Sequence, residues 1–133
     1  MAFTGALGSW GAALLAPYSD KPDTSGLLMR SPQALSALVK QFQKDNWQVV
    51  CHPVCSTSLS VERTLSQNIH CIGDRANKIV LDIFEEIING NETMDVADWR
   101  PRIEHSQVMQ ISDLERAGRL GGSHLCFFQD IMD

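Results

Sequence analysis

An α/β fold built on a parallel sheet is what this sequence predicts, and three observations carry the prediction. Short β-rich runs alternate with amphipathic helical stretches along the chain. The segment from Asn68 to Gln107 reads as strand, helix, strand, with a spacing that suits one βαβ unit. Each of those two strands ends on a histidine, His70 and His105, at the carboxyl end where α/β enzymes keep their chemistry. Such an order favours parallel strands joined by right-handed crossovers.

The elements follow in turn. Residues 1–30 are rich in Gly, Ala, Ser and Pro and read as a surface connection with no regular element. A helix then starts at Ser31 as N-cap with Pro32 in its first turn, and carries Leu35, Leu38, Val39 and Phe42 along one face to a stop near Asp45-Asn46. Trp47-Gln48-Val49-Val50 has the composition of a short strand. Residues 50–67 show neither helical nor strand periodicity. Order returns at Ile69. After Gly73-Asp74 a helix places Ala76, Ile79, Val80, Ile83, Phe84, Ile87 and Ile88 on its buried side, and Asn89-Gly90-Asn91 ends it. Arg102-Ile103-Glu104 is the next strand, and Ser112 with Glu115 has the pattern of a capping box for a short helix ending at Gly118.

Composition narrows the function. The chain has 133 residues, 44% hydrophobic and 20% charged, with a formal net charge of −5, the profile of an ordinary globular domain. Acidity without a cluster of Lys and Arg argues against nucleic acid or an anionic membrane as the main partner. The apolar stretch near Leu7 to Ala16 is broken by Gly8, Ser9 and Gly11, so it is not a membrane span, and it lacks the basic start of a signal peptide. Cys51, Cys55, Cys71 and Cys126 are therefore expected to be reduced thiols in a cytoplasmic setting.

Two neutral imidazoles delivered to one rim by adjacent parallel strands have the donor type to hold a divalent metal such as zinc, and a metal there usually means hydrolysis. Asp74 and Arg75 follow the first strand directly. They are candidates to orient or anchor a substrate, with helix capping by Asp74 and a solvated Arg75 as the plain alternative. Glu104 is expected, by strand alternation, on the face opposite His105 and reads as structural support. Cys51-His52-Pro53-Val54-Cys55, with His70-Cys71 further on, opens a second possibility: a non-catalytic zinc-binding or interaction module.

The runs Gly5-Ala6-Leu7-Gly8-Ser9-Trp10-Gly11-Ala12-Ala13-Leu14, Pro17-Tyr18-Ser19-Asp20, Gly26-Leu27-Leu28, His70-Cys71-Ile72-Gly73-Asp74-Arg75-Ala76 and Arg102-Ile103-Glu104-His105-Ser106-Gln107, in that order, resemble amidohydrolase family 3 of the metal-dependent amidohydrolase superfamily. The resemblance runs from Gly5 to Gly121 except for the stretch from Val50 to Gln67. It implies the middle strands and helices of a (β/α)8 TIM barrel that hydrolyses carbon–nitrogen bonds other than peptide bonds, in small amide-type substrates, through a metal-activated water. It also implies that His70 and His105 are the metal ligands of the fifth and sixth barrel strands.

The departures shape the expectation. A barrel takes about 250 residues. The family's early His-x-His pair and late catalytic aspartate have no counterpart here, and Thr4 stands where the family has an aspartate before the Gly-Ala-Leu-Gly-Ser loop. The expected product is an incomplete, inactive fragment. Deleting residues 50–67 would join Trp47-Gln48-Val49 to Asn68-Ile69-His70 as one strand. The stretch begins with Val, whose codons start GT, and ends with Gln, which CAG encodes, so it reads as an insert or unspliced intron; sequencing of spliced transcripts tests this. The tail, residues 122–133, is expected not to continue the sheet.

Overall fold

The computed structural model describes residues 3–45, 68–91, 99, 101–120 and 127–128. The expected strand at 47–50, the 50–67 insert and Cys51-His52-Cys55 lie outside the described residues.

Helix α1 spans Pro32–Lys44, strand β1 Asn68–Ile72, helix α2 Asp74–Asn89, strand β2 Arg102–Gln107, helix α3 Ile111–Arg119 and strand β3 Phe127–Phe128. The strands form one sheet in the order β1-β2-β3, and both pairings are parallel. The βαβ unit read from the periodicity is therefore present as β1-α2-β2. The tail departs from expectation, because Phe127 and Phe128 pair with Ile103 and Glu104 and extend the sheet.

Local chemistry sets the helix ends. Ser31 Oγ accepts from the Ala34 amide at 3.2 Å and Pro32 occupies the first turn, as predicted for α1. Helix α2 stops where Gly90 closes it, its amide donating to Glu86 O and Ile88 O. Helix α3 differs from the capping-box reading. Its N-cap is Gln110, whose carbonyl accepts from Asp113 and Leu114, so Ser112 already lies inside the first turn and no side chain caps the end. Extended backbone at Gln110, with φ −70 and ψ 146, fixes that start.

The core lies between the sheet and the helices. Ile69 and Cys71 of β1 and Ile103 of β2 face Ala76, Val80, Leu81, Ile83, Phe84 and Ile87 of α2, with Leu35 and Val39 of α1 and Ala117 of α3 completing the cluster. Helix α2 buries a wider arc than its periodicity predicts, since Leu81 and Asn77 are also buried. The reason is its central position: it touches α1, α3, β1 and β2. Arg116 of α3 reinforces the α2–α3 seam through ion pairs with Asp82, at 2.6 Å, and with Glu85. Each fully buried aliphatic or aromatic side chain in such a cluster stabilises by about 1.5–3 kcal/mol.

The stretch before α1 is not a surface connection. Phe3, Thr4, Ala12 and Ala13 are buried, and residues 3–4 run beside β1: Phe3 N donates to His70 O at 3.1 Å, and Ile72 N donates to Thr4 Oγ1 at 2.9 Å. A hydroxyl suffices to satisfy that buried amide, which gives Thr4 a structural role. No helix among the described residues is long and apolar enough to cross a membrane.

Candidate metal centre

Parallel pairing sets the register of the two histidine-bearing strands. Ile69 lies beside Ile103, His70 beside Glu104, and Cys71 beside His105. Paired residues in a sheet share a face, and successive residues alternate. Ile69, Cys71 and Ile103 are in the helix-covered core, so His70 and Glu104 belong to the opposite, half-open face. Regular alternation would then turn His105 inward beside Cys71 and away from His70.

The backbone breaks that rule at the carboxyl end of β2. His105 has φ 70, Ser106 φ 46 and Val108 φ 59, all in the left-handed region, and the register slips so that Ile72 pairs with Gln107. Ser106 is the extra residue of this bulge. The result brings the His105 ring against that of His70, with centroids 4.3 Å apart and planes at 76°. Left-handed backbone is uncommon for any residue but glycine and a clear outlier for a β-branched one such as Val108. Each such residue costs about 1–3 kcal/mol, and the strain persists only where the surroundings impose it.

This corrects the expectation for Glu104. It shares a face with His70, and Arg102, two residues back on the same face, lies 4.0 Å from its carboxylate. Among the described residues no group of three or more His, Cys, Asp and Glu side chains is arranged to hold a metal ion. The described centre therefore consists of two imidazoles, with Glu104 on their side of the sheet. Cys71, beneath them, faces the core, where burial pushes its thiol far above the ordinary range and keeps it neutral.

The loop 5–26 packs against the junction of β1 and α2. Ala13 N donates to Ile72 O at 3.2 Å and Ala76 N to Ala13 O at 3.3 Å, so the loop is laced to the end of β1 and the start of α2. Gly73 makes this approach possible: its φ is +107, and a Cβ there would lie 2.2 Å from Ala13 O. Inside the loop the Tyr18 hydroxyl donates to Ala12 O at 2.9 Å, and Trp10 Nε1 donates to Asp20 Oδ2 at 3.1 Å with Lys21 over its ring.

No protein-family model matches the chain. It is 32% identical over 116 residues to the protein LONG AFTER FAR-RED 3 of Arabidopsis thaliana, covering 87% of this chain and 16% of that protein. It is 28% identical over 117 residues to the putative amidohydrolase YtcJ of Bacillus subtilis (strain 168), covering 87% of this chain and 17% of that one. Among solved structures it is similar to an uncharacterized metal-dependent hydrolase from Pyrococcus horikoshii OT3, with a TM-score of 0.63 and 29% identity over 90% of this chain and 19% of the other. A second, from Pyrococcus furiosus, gives a TM-score of 0.62 and 28% identity with the same coverage. The chain is thus similar to a stretch of a putative amidohydrolase and of two metal-dependent hydrolases. It spans about a sixth of the length of the curated relatives it matches.

Asp74 and Arg75 lie where the 5–26 loop meets the end of β1. Asp74 is the first residue of α2, after Gly73 as N-cap, and its Oδ1 accepts from Leu15 N at 2.8 Å and from Arg75 N at 2.9 Å. Arg75 is not solvated: Nη2 donates to Gly26 O at 3.2 Å and Ser25 O at 3.5 Å. Both side chains tie the 5–26 loop to the rim of the histidine-bearing strand. Sequence patterning passes over one further residue, Asn77, which is fully buried in α2 beside the strained turn. A polar residue within an apolar helical arc was the available signal.

Proposed function

We propose that this chain contributes two metal ligands, His70 and His105, to a hydrolase of amidohydrolase family 3 that cleaves carbon–nitrogen bonds other than peptide bonds in small amide-type molecules. The observation that carries the reading is the convergence of the two rings at 4.3 Å, reached through a strained bulge at the carboxyl end of β2, in a relative of metal-dependent hydrolases. In this reading β1 and β2 are adjacent strands of a (β/α)8 barrel whose active rim is their carboxyl edge.

The donor set fits two positions of a divalent ion, zinc being the natural choice for neutral imidazole nitrogen. Such an ion, when bound, lowers the pKa of a water or polarises a substrate carbonyl. The chain's own residues do the positioning. His70 and His105 hold the ion, and Asp74 and Arg75 serve the substrate by fixing the 5–26 loop at the rim. Activation of a water would need further ligands and a base beyond this pair of imidazoles.

Zinc content of the purified chain after loading and dialysis tests this. Zinc should be lost in His70→Ala and in His105→Ala, and retained when Cys51 and Cys55 are both replaced by Ser. The reverse pattern would refute the assignment and identify a zinc module built on the cysteines instead.

A further inference from the structure

The rings of His70 and His105 meet only because the backbone leaving β2 takes a conformation that its residues do not favour. His105, Ser106 and Val108 are all left-handed, and none is glycine. Three hydrogen bonds from two residues, Gly73 at the N-cap of α2 and Asn77 within it, bear on that turn. Gly73 N donates to Gln107 O at 2.9 Å, and Asn77 Nδ2 donates to Gln107 O at 3.3 Å and to Val108 O at 3.1 Å.

Asn77 is unusual for its position. It lies on α2 between Ala76 and Val80 in the core and is 0% exposed, yet it is an amide. Its orientation is fixed by chemistry, because two carbonyl oxygens accept from it and only the NH2 end can face them both. Its Oδ1 is buried without a hydrogen-bond partner. An apolar residue of the same volume would avoid that penalty, so packing alone does not account for an asparagine here. What an apolar residue could not do is hold Gln107 and Val108 with their carbonyls turned toward α2.

We infer that Asn77 is the positioning residue of the histidine pair: its buried amide clamps the carbonyls of Gln107 and Val108 and so keeps His105 turned onto His70. The purpose of the clamp rests on the metal-ligand reading above, but the geometric claim does not, and the two are tested by different measurements.

The test is the NOE between the ring protons of His70 and His105, recorded on the metal-free chain with labelled histidine. The unmodified protein should show it. In Asn77→Leu, which preserves volume and removes both donors, it should fall at least fivefold while the cooperative melt is retained. Asn77→Asp, which preserves shape and removes the donors, should behave alike. A folded variant of either kind with an undiminished NOE overturns the inference. Should neither variant fold, the unmodified protein still decides. The side-chain amide protons of Asn77 should exchange with solvent at least tenfold more slowly than those of exposed Asn89, and equal rates overturn the clamp. Failure of zinc binding with an intact, Asn77-dependent NOE would refute the metal assignment and leave the clamp standing.

Discussion

Replacing Gly73 by alanine probes the junction on which the site depends. With φ +107 and ψ 142, Gly73 occupies a region essentially closed to other residues, and an alanine forced to stay there costs about 1–3 kcal/mol. The added Cβ would meet Ala13 O at 2.2 Å, Ala13 C at 2.7 Å and Ala13 N at 2.9 Å, all backbone atoms that cannot swing aside. Ala13 must therefore withdraw, giving up its bonds to Ile72 O and from Ala76 N, each worth about 1 kcal/mol. Together the loss is about 3–5 kcal/mol, a large share of the ~5–15 kcal/mol that stabilises a typical domain. In urea unfolding the midpoint should fall by roughly 2 M for a slope of about 2 kcal/mol/M. Gly118, inside α3, is the matched control: no atom lies within 4 Å of its added Cβ, so Gly118→Ala should stabilise by about 0.5–1 kcal/mol. If Gly73→Ala unfolds within about 0.5 kcal/mol of the parent, the close loop–strand approach is not what the glycine provides.

Other consequences are equally direct. Phe84→Ala, which empties the centre of the core and removes the edge-to-face contact with Trp99 at 5.3 Å, should cost about 3–5 kcal/mol by denaturant unfolding; a loss under about 1 kcal/mol would contradict the packing. Cys71 should resist alkylation at pH 8 until denaturant is added, as read by peptide mass mapping, because burial holds its thiol neutral; labelling at the rate of a free thiol would contradict its placement. Burial, with the Asp20 charge nearby, raises the pKa of Tyr18, the single tyrosine of the chain. A raised value means the protonated phenol is favoured in the folded state. Its contribution to stability is therefore complete below the ordinary phenol range near 10 and is lost as pH rises beyond it. Absorbance at 295 nm should show folded Tyr18 titrating at higher pH than the urea-unfolded chain; a lower or equal midpoint would contradict this.

The parts of the fold that were readable from the sequence are those governed by neighbours along the chain. Ser31 and Pro32 mark the start of α1 by themselves, the apolar spacing from Ala76 to Ile87 gives α2, and Gly90 marks its end. The two histidine-bearing strands were readable for the same reason, although each runs two residues past its histidine, to Ile72 and to Gln107, and does not end on it. What the sequence did not disclose depends on contacts across it. Phe3 and Thr4 have no periodicity that would tie them to β1, some 65 positions away. Strand β3 is two residues long, too short for any pattern. Arg75 looks like a solvated helix residue until the carbonyls of Ser25 and Gly26 are seen above it. Alternation correctly separates Glu104 from His105 along an ideal strand. It fails here because three left-handed residues override it, and such local failures are expected at functional sites.

The central claim, that His70 and His105 share one metal, is tested most directly by adding substoichiometric Co(II) to the histidine-labelled chain and following the four imidazoles by NMR. The ring signals of His70 and His105 should broaden or shift together at the same metal concentration, with those of His52 and His124 unaffected. Perturbation of His52 while His70 and His105 stay unchanged would contradict the account.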